Sequence, residues 1–177
     1  SCQNITERKK AELNLQKSHE NLKEFQQVTQ EFILFQLKFF HDLDLIQKEF
    51  LRRIAKVLDV DRVSIWIANA NKDILTSELL YYAKTDQFDE QAKSLSEADF
   101  PNYFRIMKNG EIIAASDAVR HNATSDFSTS YLVPNEIKSM LDTPIHVEGE
   151  FYRVVCNEVT EKFHEWTIEE QHFVASI

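Results

Sequence analysis

Six histidines, two cysteines and 29 acidic residues are the side chains of this 177-residue chain that could carry chemistry. Their spacing decides which chemistry. A transition-metal site wants ligands three or four residues apart on one helix face, or a paired-cysteine motif. His164 and His172 are eight apart, His121 and His146 lie in distant segments, and neither HExxH nor CxxC occurs. No metal and no cofactor are therefore expected. No nucleophile elbow is present and no carboxylate pair has a recognisable context, so no catalytic residue is assigned and the chain is not read as an enzyme. Ser18-His19-Glu20-Asn21-Leu22 has the outline of a phospho-accepting histidine box. Such a box continues with Arg and a kinking Pro, whereas Lys23-Glu24-Phe25 follow here, and His19 reads as a solvated helix position. Two glycines in the whole chain leave no glycine loop to cradle a phosphate.

The bulk composition points the same way. A formal net charge of -9 disfavours a nucleic-acid partner, which needs a clustered basic face, and equally disfavours docking on an anionic leaflet. Hydrophobic residues make up 43% of the chain, with 13 Phe, enough for one ordinary core plus an extension. Cys2 and Cys156 read as reduced thiols of a cytoplasmic protein. The longest apolar stretch, residues 32–40, is interrupted by Gln36 and Lys38 and falls short of the roughly 20 residues of a membrane span. Any membrane anchor would lie elsewhere in a longer parent protein.

The elements that must position these residues begin with a helix. Asn4-Ile5-Thr6-Glu7 has the form of a capped helix start, and neither Gly nor Pro occurs from there to about Leu58. A bend is expected near Asp42-Leu43-Asp44. Leu15 and Leu22 are seven apart, and Ala11, Ser18, Phe25, Phe32 and Phe39 form a second series at the same interval. Together they approximate a coiled-coil seam, so a homodimer is expected along Leu15, Leu22, Phe25, Phe32 and Phe39; the other reading of the stripe is a single amphipathic helix laid on its own domain. Residues 32–50 are apolar on most sides and read as a junction between a partner helix and the following domain.

Beyond the helix, Arg62 to Ala68 alternates as a strand does, and residues 74–83 return from the turn at residues 69–73. Residues 96–99 offer caps for a helix that ends at Gly110, and residues 112–115 read as a short strand. Residues 140–147 and 151–159 form a hairpin about Glu148-Gly149, and Thr167-Ile168-Glu169-Glu170 is a capping box for the last helix. These elements give an α+β fold: a five- or six-stranded, largely antiparallel sheet with flanking helices, preceded by a long coiled-coil-like helix.

The motifs of the second half, Ser139-Met140-Leu141-Asp142-Thr143-Pro144-Ile145, Gly149, Val154-Val155-Cys156-Asn157-Glu158 and Glu165-Trp166-Thr167, then Glu170 and Phe173-Val174-Ala175-Ser176-Ile177, occur in an order that resembles a GAF domain. The subtype is similar to that of bacterial sensor histidine kinases and diguanylate cyclases, whose central loop Ser116-Asp117-Ala118 with Arg120 matches. Asn4 to Glu12 resembles the exit of a PAS domain into a signalling helix. The resemblance divides the chain into a PAS-exit segment and signalling helix, 1–39, and a GAF-like sensory or regulatory domain, 40–177. It implies a non-catalytic relay in a two-component or related signal-transduction protein, with adjacent PAS and output domains of the same polypeptide as partners. The alternative it leaves open is a sensor whose unidentified small-molecule effector switches helix packing. Family architecture places a ligand pocket between the sheet and the Asp117–Tyr131 loop, with Trp66, Asp117, Arg120, Tyr131 and Met140 as candidate liners; the other reading makes Trp66, Tyr131 and Met140 core packing and Asp117 and Arg120 ties of the loop.

The sequence departs from the family at two places: Arg153 stands where a Gly is usual, with a guanidinium that would narrow or charge the pocket, and Asn157 stands where relatives often carry His. Asn71-Lys72 with Phe88-Asp89-Glu90 echoes the cyclic-nucleotide subtype, but the Phe-to-Asp spacing is wrong. Cys156, a core strand position followed by Asn157, does not match the accessible cysteine that attaches a bilin.

Overall fold

A computed structural model describes residues 6–177 in full and residues 2–5 only as helical backbone. The Asn4 cap and Cys2 lie outside the fully described residues. Helix α1, Cys2–Lys38, ends in a tight turn, and α2, Leu43–Leu58, starts where the Asp42 carboxylate accepts the Leu45 N–H at 2.9 Å. The bend falls where the acidic pair Asp42 and Asp44 predicted it. It reverses the chain: Glu31 pairs with Arg53 at 3.3 Å, and the Phe32 and Phe50 rings are 5.2 Å apart. α1 and α2 are thus an antiparallel hairpin. Leu51, Ile54, Ala55 and Leu58 then put the apolar side of α2 against the sheet.

The sheet has seven strands, β1 (Arg62–Ala68), β2 (Ile74–Tyr82), β3 (Gln87–Asp89), β4 (Ser94–Ser96), β5 (Ile113–Ala115), β6 (Ser139–Val147) and β7 (Glu150–Val159). Their order is β3-β2-β1-β7-β6-β5, with β4 also on β2, and every pairing is antiparallel. β3 and β4 are the additions to the expected set. Each is a three-residue edge segment, too short to show a period of two. The β6–β7 turn has positive φ at both Glu148 (54°) and Gly149 (84°), the conformation that matches the twist of a two-residue hairpin.

One face of the sheet is covered by α3 (Pro101–Lys108) and the segment from Asp117 to Asn135, through Tyr103, Phe104, Met107, Phe127 and Leu132. Helix α3 starts from Phe100 without a side-chain cap; the Ser96 hydroxyl accepts the Ala98 N–H in a turn instead of capping the helix. The other face is covered by α2 and α4 (Ile168–Ser176). Thr167 and Glu170 form the capping box, Glu170 Oε2 accepting the Thr167 N–H at 2.7 Å and Thr167 Oγ1 accepting the Glu170 N–H at 3.2 Å. Thr167→Ala is expected to lower the unfolding free energy by about 1 kcal/mol in urea titrations.

Among the described residues no helix is long and apolar enough to cross a membrane, and no group of three or more His, Cys, Asp or Glu could hold a metal ion.

Candidate functional site

Because side chains alternate along a strand, the register of β1, β7 and β6 builds a lattice on the face beneath α3. Arg62, Glu158 and Met140 form one rung, Ser64, Cys156 and Asp142 the next, and Trp66, Val154 and Pro144 a third. Three of these nine residues, the base Arg62 and the acids Asp142 and Glu158, are set in an apolar core, and all three are buried. Each carboxylate is met by a tyrosine from a different covering element. Tyr103 of α3 donates to Asp142 Oδ2 at 2.7 Å, and Tyr131 donates to Glu158 Oε1 at 2.8 Å. Arg62 donates to the Tyr131 hydroxyl at 3.2 Å. Its Nε lies 3.0 Å from Glu158 Oε2 but outside hydrogen-bond geometry, so the contact is an ion pair without a directed bond.

Burial dominates the electrostatics. Desolvation raises the Asp142 carboxyl to about 7, against the bond from Tyr103, and Asp142 Oδ1 has no partner in the protein. Desolvation also raises Glu158, opposed by the Arg62 charge and the Tyr131 hydroxyl. Burial alone would lower the Arg62 guanidinium, yet the Glu158 charge leads a set of neighbours that hold it above its ordinary value. The Cys156 thiol is pushed well up by burial and by Asp142, which makes it a poor nucleophile at neutral pH.

Of the candidate liners, Trp66, Tyr131 and Met140 do come together, with Tyr103, Phe127 and Glu158 around them. The space they enclose is about 10 Å³, room for about one water. Asp117 and Arg120 stand outside it: Arg120 is exposed, and its Nη1 lies 3.4 Å from Asp117 Oδ2 at the surface. They form a local turn, Arg120 N–H to Asp117 Oδ1 at 3.2 Å, because loop residues three apart satisfy each other before they can reach the sheet. Arg153 does not charge the pocket either. It shares the opposite side of β7 with Val155 and pairs with Glu78 at 3.2 Å. Asn157 is a buried tie, donating to the Leu141 carbonyl at 2.9 Å. Sequence reasoning missed Arg62, Tyr103, Asp142 and Glu158. The signal lay in the alternation of the three central strands, which puts charged residues at core positions.

The α1 seam is divided by the structure. Phe25 and Phe32, expected against a partner helix, are buried by their own chain: Phe25 stacks on Phe173 of α4 at 4.6 Å, and Phe32 packs on Phe50. The chain reversal at residues 39–42 is the reason, since it folds α1 back over α2 and α4. Ser18 donates to Glu169 on the same side. Leu15 and Leu22 stay exposed, and Phe39 is half-buried against Phe35. Around the turn, Ile33, Leu34, Leu37 and Phe40 are at least half exposed, so this chain alone covers only one side of the apolar junction. His19 is exposed.

The family model for the GAF domain matches residues 42–177. The chain belongs to the GAF domain family. GAF domains are in general regulatory or sensory modules and not catalysts. Among solved structures, the GAF domain of a phosphoenolpyruvate-protein phosphotransferase (ptsP) from Coxiella burnetii aligns with a TM-score of 0.65 at 19% identity, over 90% of this chain and 88% of that one. The GAF domain of the Acinetobacter phosphoenolpyruvate-protein phosphotransferase gives 0.65 at 13% identity, over 88% and 86%. The blue-light-absorbing form of the Thermosynechococcus elongatus PixJ GAF domain gives 0.61 at 15% identity, over 73% and 76%. At these identities the likeness is one of fold. Comparison with curated proteins gives no match.

Proposed function

We propose that the chain is a non-catalytic relay module of a larger cytoplasmic signalling protein. Residues 1–39 are the signalling helix leaving an upstream PAS domain, and residues 40–177 are the GAF domain it serves. The module dimerises through α1 and couples the GAF domain to an output domain of the histidine kinase or diguanylate cyclase type. The observation that carries this reading is the contact between the entering and leaving helices. Phe25 of α1 stacks on Phe173 of α4, and Phe32 of α1 packs on α2, so the three helices share one apolar layer on the same side of the sheet. A shift of α4 therefore loads α1 directly, without passing through the pocket face.

Two measurements test this. Sedimentation at high micromolar concentration should show a dimer, and a monomer there would sink the reading. Phe25→Ala removes a buried ring, and a loss of about 3 kcal/mol is expected in the free energy that holds α1 on the domain. Hydrogen exchange should then quicken in α1 and α4 together. Unchanged protection in α4 would show that the two helices are not coupled.

A further inference from the structure

α1 carries two apolar stripes, and its own domain covers only one. At about 100° per residue, Ser18, Phe25 and Phe32 fall on a common line, the one that faces Glu169, Phe173 and Phe50. Leu15, Leu22, Ile33 and Leu37 fall on a second line roughly 85° round the helix. These four are 73%, 43%, 50% and 69% exposed. Leu15 and Leu22 keep the seven-residue interval of the buried series, but beyond Leu22 the stripe continues at a different interval. Leu22 and Ile33 are eleven apart, Leu15, Gln26 and Leu37 repeat at eleven, and so do His19 and Gln30. An eleven-residue period stays close to the natural winding of an α-helix, so two such stripes meet with little supercoiling and a right-handed drift, unlike a heptad seam. Between Leu15 and Leu37 the sector holding this stripe contains no Lys, Arg, Asp or Glu, in a chain of which 28% is charged.

We infer that a second copy of this chain pairs in parallel and in register along Leu15, Leu22, Ile33 and Leu37, leaving the Phe25–Phe32 stripe on its own domain. The inference rests on the dimeric reading proposed above. The absence of charge is what this occupant requires. In a parallel, in-register pair every side chain meets its own copy, so any formal charge would meet its like. A stripe of leucine, isoleucine, glutamine and histidine avoids this, and the Gln26 and Gln30 amides can each donate to and accept from their copies. Access is open, because a groove of about 480 Å³ between α1 and α4 runs beside Leu22, Gln26 and Gln30. α1 is then shared, its domain on one side and its copy on another, and a rotation forced by α4 changes the pairing.

The test uses the whole chain in a Cys2→Ser background, with one new cysteine at a time and mild oxidation. Leu22→Cys, Gln26→Cys, Ile33→Cys and Leu37→Cys are expected to give covalent dimers in high yield, while Glu20→Cys and Glu31→Cys, on the far side of α1, stay at background. Leu22→Glu with Ile33→Glu should convert the dimer to a monomer that keeps the parent's helix content and still unfolds cooperatively, with a melting temperature that no longer depends on concentration. A parent dimer that cross-links instead at Ser18→Cys, or that resists the double Glu change, overturns the stripe and leaves the dimeric relay standing. A mixture of Leu15→Cys with Leu37→Cys chains that cross-links to heterodimers overturns the parallel arrangement. A parent chain that sediments as a monomer overturns both the stripe and the relay.

Discussion

Asp142→Asn is expected to stabilise the domain above neutral pH and to flatten its stability profile between about pH 4 and pH 7. Asp142 is fully buried, its Oδ1 has no partner, and its carboxyl is raised from 3.8 to about 7. The folded state therefore keeps a proton that the unfolded chain has already lost. The stability tied to that proton is present below about pH 4 and is lost as pH rises towards about 7; above that both states are ionised and the group adds no further slope. Over a window of roughly three pH units the loss is on the order of 4 kcal/mol. An asparagine keeps an acceptor for the Tyr103 hydroxyl and removes the charge, but its amide must find acceptors in the same place, which costs about 1–3 kcal/mol. The net gain expected near pH 8 is about 1–3 kcal/mol, with a slope closer to zero. Urea unfolding of both proteins at about pH 5 and pH 8 measures it. Parallel profiles for the two would show that Asp142 does not titrate in this range.

Arg62→Met should be among the most damaging single changes on the sheet, at about 3–5 kcal/mol, because it leaves Glu158 buried and without a counter-charge. Glu158→Leu alone should cost a comparable amount, stranding the guanidinium and the Tyr131 hydroxyl. The double change Arg62→Met with Glu158→Leu should recover most of the loss, since two apolar side chains of similar size need no pairing. Tyr131 then loses its acceptor, which sets the residual cost at about 1–3 kcal/mol. A double-mutant cycle in urea is the measurement. Additive losses would mean that the two charges act independently, against their cross-strand register.

Both expectations concern the same region of this domain. The aromatic side chains leave room for about one water, and two tyrosines tie the covering elements to buried carboxylates. The pocket face is thus a source of cohesion between the sheet, α3 and the Asp117–Asn135 segment.

Much of this was legible in the order of residues. β1, β6 and β7 alternate or run apolar as half-buried and central strands must, the Glu148-Gly149 turn and the Thr167–Glu170 box announce themselves locally, and Asp42-Leu43-Asp44 marks the bend. These are properties of neighbours in the chain, and local backbone preference is enough to set them. β3 and β4 were not legible, because three-residue edge strands owe their form to β2 and not to a pattern of their own. For Asp117 and Arg120 residue type left two readings open, pocket liners or ties of the loop, and the local turn that joins them decides for the second.

The deeper division concerns partners. Sequence alone determined that the chain is a GAF domain behind a long helix, that α1 has an apolar face including Phe25 and Phe32, and that the chain lacks the spacing of a metal or catalytic motif. It could not say what covers that face, because periodicity names the buried side of a helix and not the body that buries it. The reversal at residues 39–42 decided that Phe25 and Phe32 belong to α4 and α2, and left a second apolar stripe free. The charged lattice of Arg62, Asp142 and Glu158 was likewise settled only by strand register, which sets Arg62 and Glu158, nearly a hundred positions apart in the chain, opposite each other on neighbouring strands.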